Sequence, residues 1–250
     1  MRLTRAQIDD FAREGYLLVP RVFAGPALDD LKRWTGEVEA APETRGRHMV
    51  YKEPSLVDRA PIIQRIENFC PFHVGFNRVL TDGGLIEMVG ALFGEPAVLF
   101  KDKINFKLLG GDGFKLHQDQ QAGWSKYAPL FITALVAVDD ASEENGCLYV
   151  ARGPRAERLL GPEWRPLEPA ELEGRALEAV PTAPGDVLFF DSYLPHASEP
   201  NLASAARRIL YVTYNRAGDG DHRSRYFAEK RADFPPDIER EPDKTYVFRV

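Results

Sequence analysis

Three short stretches carry residues whose types and spacing point to chemistry. The first is His117-Gln118-Asp119. With five histidines and 38 acidic residues in 250 positions, a His-x-acid triplet arises by chance about as often as not, so alone it says little. Its setting says more. The run Phe114–Gln120 reads as a strand, and side chains alternate along a strand with period two. Lys115, His117 and Asp119 then share one face, which is the disposition that two ligands of one metal require. The second stretch is Pro195-His196, a few residues beyond a Pro184-Gly185-Asp186 turn and the apolar run Val187-Leu188-Phe189-Phe190. A single histidine in such a place is more often structural than a ligand. The third is Ala206-Arg207-Arg208-Ile209-Leu210-Tyr211-Val212, a strand opened by paired arginines, which by itself reads as an exposed basic end. Together the three make a different case. Two histidines and a carboxylate can occupy one face of an octahedral Fe(II), leaving three positions for a cosubstrate and O2. An arginine nearby is the natural bidentate clamp for the far carboxylate of a small keto acid.

The elements that must position these residues are mostly β. From Ala97 onward, short runs rich in Val, Ile, Phe and Tyr alternate with Gly, Pro, Asp and Asn clusters, the pattern of an all-β sandwich or barrel. The strands predicted are Val98–Leu108, Phe114–Gln120, Phe131–Asp139, Cys147–Val150, Arg175–Ala179, Asp186–Phe190 and Arg207–Tyr214. Upstream the signals are helical. Thr4 and Gln7 have capping-box spacing, Ile8 and Phe11 share a face, and Gly15 can close the helix. A β-rich stretch Tyr16–Phe23 follows, and then helices are predicted over Pro26–Ala40 and Leu80–Phe93. Residues 41–75 give no clear pattern. The expectation is a mostly β chain with flanking helices: a double-stranded β-helix (jelly-roll or cupin-type) barrel buttressed by N-terminal helices. We read residues 1–250 as a single domain, with helical support over about 1–96, the jelly-roll core over about 97–215 and a charged extension over 216–250. That extension ends in an apolar TYVFRV and should pack back on the domain.

The order H-x-D, a gap of 79 residues to His196, then an arginine eleven residues on resembles the phytanoyl-CoA dioxygenase-like Fe(II)/2-oxoglutarate oxygenases. LTRAQIDDFAREGYLLVPRVF resembles that family's opening helix and strand, ITALVAVDDASEENGCLYV its central strand and Asn-Gly turn, and PGDVLFFDSYLPHASEPNLASAARRILYVTY its second metal-ligand region. The chain departs from the family at Ala151–Arg155, where Pro-Gly-Ser-His is common. The resemblance implies a hydroxylase that uses Fe(II), 2-oxoglutarate and O2. It implies His117, Asp119 and His196 as catalytic iron ligands, and Arg207 as partner of the 2-oxoglutarate carboxylate, with Arg208 as the alternative if the register shifts by one. It also implies Ser198 beside that carboxylate, and Asn105, with Lys103, near the keto-acid end. Halogenating relatives replace the aspartate to admit chloride, so Asp119 implies hydroxylation or desaturation. KINFKLLGGDGFKLHQDQQAGW and DFPPDIEREPDKTYVFRV are similar to the subgroup that hydroxylates small aminoalkyl phosphonates.

The strand around residue 104 alternates. Ile104, Phe106 and Leu108 form one face; Lys101, Lys103, Asn105 and Lys107 form the other. On a generic protein those lysines sit in water. In an oxygenase barrel they face the lumen and favour an anionic cosubstrate and substrate. Gln120, Gln121 and Trp124, with Lys101, are the expected substrate contacts, through amide hydrogen bonds and an aromatic wall able to take an ammonium group.

Composition narrows the partners. A net charge of −6 disfavours nucleic acid as a partner. The longest apolar run, Leu130–Val138, is far short of the ~20 residues that span a membrane. Two cysteines, Cys70 and Cys147, exclude a disulfide framework and fit a reducing cytoplasm. The expected protein is a cytoplasmic monomer or homodimer acting on a small molecule. Two competing readings are a non-catalytic jelly-roll module that binds a small molecule, and a cupin-type metal-dependent isomerase or hydrolase, which does not need Arg207.

Overall fold

The computed structural model describes residues 2–246. Helix α1 (Arg5–Glu14) starts where predicted: the Thr4 side chain and Gln7 form a reciprocal capping box, and Gly15 closes the helix in the left-handed region. Strand β1 (Tyr16–Val19) follows. Helix α2 (Pro26–Ala40) places proline at its first turn, where a missing N–H costs nothing. Residues 41–75 prove to hold two paired strands, β2 (Met49–Pro54) and β3 (Pro61–Glu67). The helix predicted over Leu80–Phe93 is two helices, α3 (Val74–Thr81) and α4 (Gly84–Phe93), because Asp82-Gly83 interrupts the turn pattern.

The remaining strands are β4 (Ala97–Lys107), β5 (Phe114–His117), β6 (Phe131–Ala137), β7 (Leu148–Arg152), β8 (Ala176–Val180), β9 (Val187–Asp191), β10 (His196–Ser198) and β11 (Arg207–Arg216). Every strand pairing among the described residues is antiparallel. They form a large sheet in the order β1-β9-β6-β11-β4-β3-β2 and a small one in the order β5-β10-β7-β8. The fold is that of a jelly roll, as predicted, with the larger sheet extended at both edges. Helix α5 (Arg223–Asp233) then packs against β4. The C-terminal extension therefore does return to the domain; of its TYVFRV ending, the last four residues lie outside the described residues.

Strand alternation decides which face does what. Ile104, Phe106, Leu210, Val212 and Val136 point to the helical side and join one apolar core with α1, α2, α3 and α4. The opposite face of the same strands meets the small sheet through Leu135, Leu188, Phe190, Ile209 and Tyr211. That second face also carries Lys101, Lys103, Asn105 and Lys107, so the polar half of β4 lines the barrel interior. The Pro184-Gly185-Asp186 turn is held tightly: Gly185 has φ +89°, and a Cβ there would lie 1.9 Å from the Phe23 carbonyl oxygen.

Candidate metal centre and its chamber

His117 and His196 are direct cross-strand partners on β5 and β10, which brings their ring centroids to 4.3 Å. Asp119 is not on the strand as predicted. Strand β5 ends at His117, and Asp119 opens a 3-10 turn, Asp119–Ala122, tied down by the Gln120 N–H on the Ser192 carbonyl. The turn still aims the carboxylate at the imidazoles, with His117 Nε2 3.8 Å from Asp119 Oδ1. One ligand atom from each of the three lies within 4.8 Å of the others, within reach of a single ion.

The histidines are prepared for that role. His117 Nδ1 bonds the Lys115 carbonyl at 2.6 Å and His196 Nδ1 the Leu194 carbonyl at 3.0 Å. Each carbonyl can only accept, so Nδ1 donates and the lone pair falls on Nε2, facing Asp119. Burial pushes both imidazoles below the ordinary histidine range, which keeps them neutral and able to ligate. Thr133 steadies Asp119 Oδ2 at 3.4 Å and is itself joined to Thr213 at 2.9 Å.

Arg207 lies further inside on the same face of β11 as Ile209, Tyr211 and Thr213. Its side chain is fully buried, yet Nε and both terminal nitrogens lack a hydrogen-bond partner among the described residues. A buried guanidinium without an acceptor is costly. It implies an anion that the protein itself does not supply. Asn105 Oδ1, buried nearby, is likewise unpartnered, and the Tyr211 phenol is raised by burial and held back by Arg207. Arg208 points the other way and makes a two-pronged contact with Asp139, at 2.7 and 2.9 Å. The register thus turns Arg207 inward and Arg208 outward. Ser198 Oγ accepts from Lys107 Nζ at 2.8 Å and from the Phe114 N–H at 3.3 Å.

Above the three ligands opens a cavity of about 660 Å³. Lys101 and Lys103 line it, as predicted from the alternation. Burial, then Lys101, pushes Lys103 down to about 7. Trp124 lines it too but is nearly buried in an aromatic cluster with Phe100, Phe131 and Tyr226. Its ring is already approached by the Lys101 ammonium at 5.3 Å, so the cation it faces is the protein's own.

Gln120 and Gln121 do not line this cavity. Both are fully buried, and their amide N–H groups are spent on the fold. Gln121 donates to the Pro162 and Arg165 carbonyls, and Gln120 to Ser125 and the Ala128 carbonyl. A 3-10 turn rotates its side chains off the strand's alternation, which is why the amides face the loops.

Other lining residues were missed. Arg65 and Glu67 on β3, and Tyr226 and Lys230 on α5, line the same cavity, but their segments gave no readable pattern. Tyr211 and Thr213, which line a smaller adjoining pocket with His196 and Ser198, had a signal: they follow Arg207 at period two.

A family model described as Phytanoyl-CoA dioxygenase (PhyH) matches residues 11–209. The chain belongs to the phytanoyl-CoA dioxygenase family. It is 40% identical over 248 residues to a 2-aminoethylphosphonate dioxygenase from Uncultured bacterium HF130_AEPn_1, covering 97% of this chain and 93% of that one. It is 38% identical over 235 residues to a methylphosphonate hydroxylase from Gimesia maris, covering 93% and 88%. Among solved structures, EctD from S. alaskensis with 2-oxoglutarate and 5-hydroxyectoine shares the fold, with TM-score 0.71 and 19% identity over 99% of this chain and 87% of that one. The protein is therefore an Fe(II)- and 2-oxoglutarate-dependent dioxygenase. The residues present fit that pair of cofactors: two neutral imidazoles and a carboxylate suit ferrous iron, and the orphaned Arg207 suits a dicarboxylate. No helix among the described residues is long and apolar enough to cross a membrane.

Proposed function

We propose that this family member hydroxylates a small aminoalkylphosphonate or a closely similar anionic or zwitterionic molecule. The observation that carries the reading is the cavity above His117, Asp119 and His196, lined by the ammonium groups of Lys101 and Lys103. The similarity to the two phosphonate oxygenases supports the same class. In the overall reaction, R–H, O2 and 2-oxoglutarate become R–OH, succinate and CO2. When bound, the ferrous ion supplies the activation of O2 that inserts oxygen into an unactivated C–H bond.

In this reading, His117, Asp119 and His196 hold the metal through Nε2, a carboxylate oxygen and Nε2. Arg207 takes the far carboxylate of 2-oxoglutarate, and Asn105 lies beside the keto acid. Ser198 orders Lys107 at the same end. Lys101 and Lys103 draw the substrate's anion over the metal, while Trp124 and its aromatic neighbours keep water from the reacting carbon. Both cysteines are free and buried, which agrees with a protein of the reducing cytoplasm, acting as a monomer or homodimer.

The test is succinate formation against a panel of small phosphonates, betaines and amino acids. Phosphonate-dependent succinate, lost in Asp119→Ala, is the expected result. No coupled turnover with any phosphonate would overturn the substrate class, and wild-type turnover in Asp119→Ala would overturn the metal assignment.

A further inference from the structure

The inner face of β3 and β4 concentrates charge in an unequal way. Glu67 lies opposite Lys103 in the strand register, and Arg65 opposite Asn105. Glu67 is fully buried, and both its oxygens are taken: Arg65 Nε reaches one at 2.8 Å, and Lys230 Nζ, arriving from α5, reaches the other at 2.5 Å. Among the described residues, this leaves the ammonium groups of Lys101 and Lys103 without a hydrogen bond and without a carboxylate in ion-pair contact. Aromatic rings hold them instead. Lys101 Nζ sits 5.3 Å from the Trp124 ring and 5.8 Å from Tyr226, and Lys103 Nζ sits 4.6 Å from Tyr211 and 5.5 Å from Phe114. Ring faces fix the position of a cation without cancelling its charge.

We infer that the chamber selects its substrate's anionic end by valence: Lys101 and Lys103, side by side on β4 and seated on aromatic rings with no carboxylate in ion-pair contact among the described residues, form a subsite for a doubly charged tetrahedral anion. This rests on the phosphonate reading above and deepens it. Asp119 is committed to the metal, so it does not count as a neutralising partner for the lysines. Glu67 is spent on Arg65 and Lys230, so Lys101 and Lys103 have no carboxylate of their own in contact among the described residues. A bound anion favours the charged form of Lys103, which burial otherwise pushes down to about 7. A singly charged anion matches one of the two ammonium groups and leaves the other alone in a desolvated wall, whereas a dianion matches both. The second negative charge therefore acts on both cations at once, at short range and in a medium where such interactions are weakly screened. Shape alone would not separate a phosphonate from a sulfonate, since both are tetrahedral with three oxygens. Charge does.

The experiment titrates 2-aminoethylphosphonate and 2-aminoethylsulfonate by calorimetry into the anaerobic enzyme loaded with Fe(II) and 2-oxoglutarate. Neutral pH gives the phosphonate two negative charges and the sulfonate one. The phosphonate should bind at least ~100-fold more tightly, the scale expected of one added charge near two close cations. Lys101→Met should weaken the phosphonate at least ~10-fold and shrink the ratio between the two ligands. Lys101→Gln serves as the second variant should Met fail to fold. Sulfonate affinity within about threefold of the phosphonate, or an unaltered ratio in both Lys101 variants, overturns the inference. Succinate release is measured in parallel. Phosphonate-driven succinate without valence discrimination would sink this inference and leave the proposed function standing. Discrimination in binding without phosphonate-driven succinate would do the reverse.

Discussion

Replacing Arg207 by Met should remove 2-oxoglutarate binding while leaving the cofactor-free fold at least as stable as the wild type. The two effects have one cause. The guanidinium is fully buried, and none of its three nitrogens has a hydrogen-bond partner among the described residues. If it clamps the far carboxylate of the keto acid, it makes two charge-assisted bonds worth about 1.5–3 kcal/mol each. Their loss amounts to roughly 3–6 kcal/mol, or about 150- to 25,000-fold in affinity. In the cofactor-free protein the same group is an uncompensated buried charge, whose burial costs several kcal/mol, so an apolar side chain of similar length relieves a penalty. The assay follows the visible absorption band that forms when 2-oxoglutarate is added anaerobically to the Fe(II) protein, alongside thermal unfolding without cofactor. Arg208→Met is the control: its partner is Asp139 on a partly exposed surface, so it should leave 2-oxoglutarate affinity unaltered and cost up to about 1 kcal/mol of stability. Wild-type affinity in Arg207→Met, or a loss in Arg208→Met instead, would refute the clamp assignment. A sharp fall in the cofactor-free melting temperature of Arg207→Met would refute the claim that the charge is uncompensated.

Two further outcomes are expected. Gln121→Ala should cost roughly 2–4 kcal/mol, because it strips hydrogen bonds from the Pro162 and Arg165 carbonyls and the Gln118 N–H. Substrate affinity should stay as it was; a fall in affinity at unchanged melting temperature would return this residue to the substrate site. The cofactor-free protein should also gain stability from pH 7 to 9. Burial lowers Lys103 and Lys107 to about 7, against an ordinary 10.5. In that window the unfolded chain holds protons that the folded chain has lost, so stability rises with pH, by up to about 1.4 kcal/mol per unit for each lysine. The penalty is fully present below the folded pKa and is relieved as pH climbs toward the unfolded one. Urea unfolding at successive pH values measures the slope, and Lys107→Met should lower it; an unchanged slope in that variant would discount Lys107.

How much of this was legible in the chain depended on whether a residue served the fold or the chamber. The capping box at Thr4 and Gln7, the stop at Gly15 and the full span of α2 could be read because local hydrogen bonding and apolar spacing alone dictate them. The order His117, Asp119, His196 and Arg207 could be read because the chemistry limits which side chains will do. Asp119 reached its place by a 3-10 turn and not by strand alternation, so the three side chains converge as expected through a local geometry that was not. Gln120 and Gln121 show the limit of reasoning from residue type: an amide beside a metal motif can as well tie down a loop, and only its direction tells which. Strands β2 and β3 are the instructive failure. Lys52, Glu53, Gln64, Arg65 and Glu67 interrupt their apolar pattern, so the stretch does not look like sheet. Those same residues line the chamber. Of the two, only β2 sits at the sheet edge, and its pairing with β3 shifts register between Tyr51 and Lys52, so the alternation that begins at Met49-Val50-Tyr51 does not continue. Strand β4 also turns lysines to the chamber, but it keeps strict alternation over residues 103–107 and could be read. At the register shift in β2, Lys52 and Glu53 fall in succession, and it is this break of period two, not the polarity of one face, that hides the strand.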